Sequence, residues 1–155
     1  MNADRRVKLT AESAESAEIL VRGHTASSLN HVSDRVIGAG IRVHRALGPG
    51  LLESAYEACL AFELAELGMD VVRQQPMPVV YRGVRLDCGY RTDLIVEDEV
   101  IVEVKAVARL EPIHEAQLIS YLKLSDRRLG LLMNFNVRAL KHGVRRLVHG
   151  FPKAA

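Results

Sequence analysis

The strongest pattern in this chain is an alternation of apolar and charged residues from Tyr90 to Val107, in the sequence YRTDLIVEDEVIVEVKAV. Successive side chains of a β-strand point to opposite faces of a sheet. The alternation therefore predicts two strands joined by a tight acidic turn at Glu97 to Glu99. One face of this hairpin is apolar, and the other carries the ionisable residues Asp93, Glu103 and Lys105. Because charged side chains are costly to bury, this trio predicts either a functional site or a buried salt bridge.

The chemistry that suits these three residues is metal-assisted hydrolysis. Mg²⁺ prefers oxygen ligands and is commonly held by one or two carboxylates together with water and substrate phosphates. Asp93 and Glu103 can supply the carboxylates, and the carbonyl oxygen of Val104 can supply a third ligand. Lys105 would then stand beside the nucleophilic water and offset negative charge on a phosphate. Equally, Lys105 can neutralise both carboxylates as a structural ion pair, and the pattern itself leaves both interpretations open.

The spacing of apolar residues before the hairpin predicts two helices. The first runs from about Asn30 to Leu47 and is ended by Gly48-Pro49-Gly50. The second runs from about Leu51 to Leu67, and its first turn holds Glu53, where a carboxylate also interacts favourably with the helix dipole. The residues that we expect to face inward on this second helix are Leu52, Ala55, Tyr56, Cys59, Phe62 and Leu64.

From Asp70 onward the pattern predicts three or four antiparallel strands in a meander that includes the acidic hairpin. A third helix is predicted from Pro112 to Leu124, and the apolar run LGLLMNF after it is typical of a buried, parallel strand. A weak last strand is predicted around Val144 to Val148. The predicted order is α-α-β-β-β-β-α-β, an α/β (α+β) fold in which helices flank a central mixed sheet.

A chain of 155 residues with 48% apolar content indicates one globular domain. We expect this domain at residues 29–150, after a flexible or marginally helical extension at 1–28 and before a short tail at 151–155. The chain shows neither an apolar run that could span a membrane nor the pattern of a secretory signal, so the cytoplasm is the expected location. Its two cysteines are far apart, which gives no support to a structural zinc site or an iron–sulfur cluster.

Charge is distributed unevenly along the chain, although the formal net charge is only +2. Residues 123–155 contain 8 Lys or Arg and 1 Asp or Glu, whereas residues 1–122 contain 13 and 18. Such a basic segment favours contact with a polyanion such as nucleic acid, and it is also what a solvated surface looks like. The residues that we expect to contact a nucleic-acid backbone are Arg127, Arg128, Arg145 and Arg146.

Four blocks of the sequence carry a resemblance to a known family. The run VHRALGPGLLESAYEACL contains the pattern GxxExxY from Gly50 to Tyr56 and resembles the bacterial GxxExxY family of the PD-(D/E)xK nuclease-like superfamily. The blocks YRTDLIVEDEVIVEVKAV, HEAQLISYLKL and GLLMNF are similar to the same family in the same order. The resemblance covers about residues 30 to 150, and four ordered blocks make it specific.

The resemblance implies a restriction-endonuclease-like core that uses Mg²⁺ or Mn²⁺. Asp93 matches the metal-binding aspartate of the superfamily, and Glu103-Val104-Lys105 matches its (D/E)xK tripeptide. Glu53 matches the acidic residue of the first core helix, which would approach the metal directly or through water. The implied metal ligands are Asp93, Glu103, Val104 and Glu53, and the implied QxxxY pair, which would hold Lys105 or a substrate phosphate, is Gln117 and Tyr121.

The function that follows is a metal-dependent nuclease that hydrolyses nucleic-acid phosphodiester bonds by a metal-activated water. DNA is favoured over RNA, no membrane is involved, and a homodimer fits this function. The alternative is a nuclease-fold binding or regulatory module that does not cut and needs a partner protein. The basic residues separate the two, because a nuclease should gather its arginines on the rim of the Asp93–Glu103 pocket.

Overall fold

The computed structural model describes the backbone of residues 26–150 and the side chains of residues 28–150. The predicted tail at 151–155, and all but the last three residues of the predicted extension at 1–28, lie outside the described residues. Those last three residues belong to the first helix, α1 (Ala26–Leu47). A single buried core joins this helix to the rest of the domain.

Helices α1 and α2 (Glu53–Glu66) pack together on one face of the sheet. The positive φ of +67° at Gly48 ends α1, and the Gly48 N–H donates to the carbonyl oxygen of His44 at 2.7 Å. The predicted inward positions of Leu52 and Phe62 are wrong, since these side chains are 78% and 65% exposed, and Leu52 lies just before the helix begins. The buried stripe of α2 advances by four residues at a time and leaves Phe62 on the other side; it consists of Tyr56, Leu60 and Leu64.

A five-stranded sheet in the order β1-β4-β5-β6-β7 forms the centre of the domain. Strands β4 and β5 are the predicted acidic hairpin, and β5 pairs with β6 in parallel, as the apolar run predicted. All other neighbours in this sheet are antiparallel. The strands span β1 Val71–Pro76, β4 Arg91–Val96, β5 Val100–Lys105, β6 Leu129–Asn134 and β7 Val144–Val148.

The predicted meander differs from the structure in one element. Strands β2 (Val79–Tyr81) and β3 (Val84–Leu86) form a separate two-stranded hairpin instead of continuing the sheet. The place beside β1 is taken by β4, which pairs with it along its whole length. The described chain therefore has five strands before the third helix, where the predicted order has four.

The two faces of the sheet bury different sets of side chains. The face toward α1 and α2 carries the apolar alternation of the β4–β5 hairpin, with Leu94, Val96, Val100, Val102 and Val104. The other face carries Ile95 and Ile101 and is covered by α3 (Pro112–Ser125). Gly130 on β6 allows this helix to come close, because a Cβ there would lie 2.8 Å from Leu118 Cδ1. The close approach places Gln117, next to Leu118, over the edge of the sheet.

This arrangement confirms the predicted fold class, a mixed sheet flanked by helices. The predicted last strand is present as β7, after a single 3₁₀ turn at Leu140–His142. Cys59 and Cys88 are both unoxidised. No helix within residues 26–150 is long and apolar enough to cross a membrane.

Candidate active site

Asp93 and Glu103 lie next to each other on β4 and β5, at the end of the hairpin away from its turn. The register continues from the Leu94–Val102 pair, so the two carboxylates extend from neighbouring positions on the α3 side of the sheet. The Asp93 N–H donates to Glu103 Oε1 at 3.1 Å, and the Val104 N–H donates to Asp93 Oδ2 at 2.8 Å. We call this region, with Asp93, Glu103 and Lys105, the open end of the hairpin.

Burial makes the ionised forms of both carboxylates costly. The pKa of Glu103 is raised from its ordinary value of 4.5 to about 8, first by burial and then by the negative charge of Asp93. Burial also raises the pKa of Asp93, although the hydrogen bond from the Val104 N–H acts in the opposite direction. Two neighbouring carboxyl groups with raised pKa values tend to share a proton, and this is the condition in which a cation can replace the proton.

Lys105 ends β5 and is half-buried beside the two carboxylates. Its positive charge lowers the pKa of both Asp93 and Glu103. Within the described residues, however, its ammonium group forms no ion pair with either carboxylate, for which the nitrogen and oxygen would have to lie within 4.0 Å. The structural salt bridge that the sequence left open is therefore not formed between the described residues, although the charge of Lys105 still acts on both carboxylates.

Helix α2 brings two more carboxylates toward the open end. Glu53 is the first residue of the helix, and its Oε1 accepts from the N–H of Ala106, directly after Lys105, at 3.3 Å. Glu57, one turn later, is buried, and the negative charges of Glu57 and then Glu53 add to the raised pKa of Asp93. Glu57 was not among the predicted site residues. Its spacing of four from Glu53, which puts both on one helix face, was the signal that pointed to it.

Gln74 is a second site residue that the sequence did not indicate. It stands opposite Asp93 on β1 with a φ of +53°, a left-handed conformation that is uncommon for a residue with a side chain. Its amide nitrogen donates to both carboxylate oxygens of Glu57 at 3.0 Å and lies 3.4 Å from Asp93 Oδ1. Gln74 thus links the α2 carboxylate to the sheet carboxylates.

The donor set of the open end fits a hard divalent cation. Asp93 and Glu103 offer two carboxylates side by side, which is the number that Mg²⁺ commonly takes from a protein. No group of three or more His, Cys, Asp or Glu side chains is arranged as a metal site within residues 28–150. A cation at this place would therefore need further oxygen atoms, from the protein, water or substrate, to complete its shell.

Gln117 and Tyr121 on α3 face the open end from the other side. Gln117 Nε2 donates to the Tyr121 hydroxyl oxygen at 3.1 Å. Burial, and then the negative charge of Glu103, raise the pKa of Tyr121, so its hydroxyl stays protonated near neutral pH. Both residues line a groove of about 630 Å³ whose walls also include Tyr90, His114 and Lys123. The predicted QxxxY pair therefore lies between the carboxylates and an open groove.

The four predicted backbone-contacting arginines are not brought together. Arg127 Nη2 lies 2.6 Å from Asp98 Oδ1 at the turn of the hairpin. Arg128 comes directly before β6, at the same end of the strands. On β7 the side chains alternate, so that Arg145 approaches Glu115 of α3 at 3.8 Å while Arg146 donates to Asn30 of α1. These arginines consequently lie at three separate places.

The GxxExxY segment forms the connection between α1 and α2. Gly50 has a φ of +106°, which favours glycine, and Glu53 follows at the start of α2. Tyr56 is fully buried, and its hydroxyl donates to the Gly48 carbonyl oxygen at 2.6 Å and accepts from the Leu51 N–H at 3.1 Å. Its ring stacks on Phe135 at 4.6 Å. The tyrosine thus fixes the loop that carries Glu53.

Comparison with known families gives one match. The family model described as PD-(D/E)XK nuclease superfamily matches residues 30–147. Neither the curated proteins nor the solved structures contain a match. The matched range includes both helices before the sheet, the open end of the hairpin and the Gln117–Tyr121 pair.

Proposed function

Because the chain belongs to the PD-(D/E)XK nuclease superfamily, we propose that it is a metal-dependent nuclease that hydrolyses phosphodiester bonds in nucleic acid, DNA in preference to RNA. The observation that carries this proposal is the open end of the β4–β5 hairpin. There the buried Glu103 and the half-buried Asp93, both with raised pKa values, lie beside a lysine that forms no ion pair within the described residues. A salt bridge would make such an arrangement inert, whereas a hydrolytic site needs the lysine available for the substrate.

The cation, Mg²⁺ or Mn²⁺, would be held by Asp93 and Glu103, with the carbonyl oxygen of Val104 and the nearby Glu53 as further oxygen donors. Such an ion supplies positive charge that lowers the pKa of water and stabilises charge on a phosphate. We propose it on the chemistry of the donor set and on family membership. Removal of the ion with a chelator should accordingly abolish cleavage.

The chain's own residues divide the remaining work. The Lys105 ammonium, within electrostatic reach of both carboxylates, orients the attacking water and neutralises charge that develops on the phosphate. The protonated Tyr121 hydroxyl, positioned by its hydrogen bond to Gln117, donates to a phosphate oxygen. Glu53 fixes the backbone directly after Lys105 through the Ala106 N–H, so the lysine keeps its orientation.

We further propose that the chain belongs to the GxxExxY family within the superfamily. The support is that each named position of the motif has a separate physical role. Gly50 adopts a positive φ, Glu53 contacts the backbone of the open end, and Tyr56 holds the connecting loop through two hydrogen bonds.

Cleavage of circular DNA, linear DNA and RNA, with Mn²⁺ or Mg²⁺ and with EDTA, tests the proposed function. The wild type should cut at least one of these substrates only when the ion is present. Asp93→Ala should be inactive while keeping its fold, and Asp98→Ala, the matched change at the turn of the same hairpin, should cut normally. Equal activity in wild type and Asp93→Ala would rule out the open end as the active site.

Two observations favour the second function, a non-cleaving module with a protein partner or a second copy of itself. The first is that the predicted arginines are not gathered on the rim of the Asp93–Glu103 pocket but lie at three separate places. The second is that the β2–β3 hairpin exposes apolar side chains beside the groove, with Val80 at 55%, Tyr81 at 64% and Val84 at 55% exposure. An exposed apolar patch is typical of an interaction surface. Metal binding without cleavage of any substrate would favour this function, and cleavage that appears only with a partner protein would join the two.

A further inference from the structure

A basic pocket of about 330 Å³ lies on the other side of the site from the Tyr90–Tyr121 groove. It is formed between the last turn of α1 and the segment that follows β6. Its charged lining consists of Arg45, Arg138 and Lys141, and no Asp or Glu contributes to it. The charged side chains of the pocket therefore favour an anion over a cation, while Ile41, Ala139 and Leu140 form its apolar lining.

The three cations are not committed to other contacts. All three side chains are exposed, and none forms an ion pair or hydrogen bond within the described part of the chain. Arg45 also lies at the C-terminus of α1, where a positive charge is favoured by the helix dipole, and this explains one of the three. The helix dipole does not explain Arg138 and Lys141, which belong to the connection between β6 and β7.

A hydrogen bond joins the two sides of the pocket. His44 is buried, and its Nε2 lies 2.7 Å from the carbonyl oxygen of Val137, which can only accept, so the imidazole donates. This bond ties α1 to the residue directly before Arg138. The backbone around Arg138 is thus held in place, which lowers the entropy cost of using its guanidinium to bind a ligand.

The pocket and the open end lie at the same end of strands β5 and β6. Strands β5 and β6 are parallel and end together, with Lys105 paired to Asn134. The segment after β5 continues to Ala106, beside Glu53. The segment after β6 continues through Phe135 to the basic pocket. Tyr56 connects the two, because its ring stacks on Phe135 while its hydroxyl holds the loop before Glu53.

We propose that Arg45, Arg138 and Lys141 bind a phosphate of the nucleic-acid strand that is cut at the open end. This inference rests on the proposed nuclease function. The strand would cross the loop before α2, with one phosphate at the carboxylates and another, farther along, in the basic pocket. The proposal places binding of the nucleic-acid backbone at this end of β5 and β6. Arg127 and Arg128 lie at the opposite end, beside the hairpin turn.

The salt dependence of nucleic-acid binding tests the proposal without any need for cleavage. Fluorescence anisotropy in EDTA would follow a labelled DNA oligonucleotide, single-stranded and duplex, against wild type, Arg138→Gln/Lys141→Gln and the matched control Arg127→Gln/Arg128→Gln. The first double variant should bind about tenfold more weakly at low salt, and its slope of log K against log salt should be smaller by about 1 to 2. The control should keep the wild-type slope, with its fold checked by circular dichroism.

Equal slopes for the wild type and the Arg138→Gln/Lys141→Gln variant would overturn the proposal. So would a mononucleotide or inorganic phosphate that competes as strongly as the oligonucleotide, because the pocket would then serve a small free anion. The cleavage assay is a separate readout. A chain that shows the slope change and does not cut contradicts the nuclease function alone, while a chain that cuts with unchanged slope contradicts the pocket alone.

Discussion

The two ends of the β4–β5 hairpin both carry carboxylates, in opposite environments. At the turn, Glu97 and Asp98 have φ values of +54° and +56°, and the Asp98 side chain is 92% exposed and paired with Arg127. At the open end, Glu103 is only 4% exposed, and the pKa values of both Glu103 and Asp93 are raised by burial. The same residue types, a few positions apart in the same hairpin, therefore form a solvated turn at one end and a pair of carboxyl groups with raised pKa values at the other.

The cause of the difference is the structure that covers each end. Helix α3 and its Tyr121 cover the open end from one side, and α2 brings Glu53 and Glu57 to it. Nothing comparable covers Asp98. The pKa of each carboxyl group therefore depends on packing by residues that are distant in sequence. A substitution at one end of the hairpin should leave the other end intact.

The largest expected effect is on cleavage. Lys105→Ala should lower the rate by about 10²–10³-fold or more, because the positive charge nearest the phosphate is removed. Stability measured by urea unfolding should change little, since Lys105 forms no ion pair within the described residues that would be broken. Arg42→Ala, which removes an exposed positive charge outside both the open end and the basic pocket, should retain the catalytic rate. A Lys105→Ala protein that unfolds, instead of losing activity, would restore the structural role of this lysine.

The second effect is on the pH dependence of stability in EDTA. Because the pKa of Glu103 in the folded protein is raised to about 8, the proton on this group stabilises the folded state. This contribution is complete below the ordinary pKa of 4.5 and is lost as the pH rises toward 8. We expect the free energy of unfolding of the wild type to fall by a few kcal/mol over this range and that of Glu103→Gln to fall much less. Parallel curves for the two proteins would contradict the burial of an ionisable Glu103.

A smaller effect is expected from Glu57→Gln. The charge of Glu57 helps to raise the pKa of Asp93, so its removal should lower that pKa. The acidic limb of the pH–rate profile should therefore move to lower pH. The side-chain amide oxygen introduced in this variant can still accept a hydrogen bond from Gln74. Glu63→Gln on the same helix, where Glu63 pairs with Arg42, is the control and should leave the profile in place. A profile that does not move would exclude Glu57 from the site.

The smallest effect belongs to the turn. Asp98→Asn removes an ion pair whose carboxylate is almost fully exposed, so stability should change by less than about 1 kcal/mol and cleavage should not change. Thermal unfolding and the cleavage assay check both parts. A large loss of activity in Asp98→Asn would remove the contrast between the two ends.

The alternation along β4 and β5 was enough to predict the strand pair and the two faces of the sheet. Period-2 patterning is local, so the residues themselves carry it. The β2–β3 hairpin could not be placed in the same way. Its strands have ordinary strand composition, and only the pairing of distant β1 with β4 excludes it from the sheet. The exposure of Phe62 likewise depends on which stripe of α2 meets the core.

The site was predictable where neighbours in sequence are also neighbours on a strand, as with Asp93, Glu103 and Lys105. Glu57 shares a helix face with Glu53, which is a local signal, but Gln74 comes to the open end only through the packing of β1 against β4, and nothing in its local sequence reports that contact. Charge composition pointed to a basic C-terminal segment. Composition could not distinguish Arg127, which pairs with Asp98 at the turn, from Arg138 and Lys141, which line the basic pocket.

We propose that the open end of the hairpin, and not its turn, binds a divalent cation. Titration calorimetry of Mn²⁺ at pH 7, in two buffers with different ionisation enthalpies, tests this proposal. We expect one binding event that releases about one proton, because Glu103 with a pKa of about 8 is protonated at this pH. Binding should be lost in Asp93→Asn and kept in Asp98→Asn. Binding that survives in Asp93→Asn, or that disappears in Asp98→Asn, would contradict the claim.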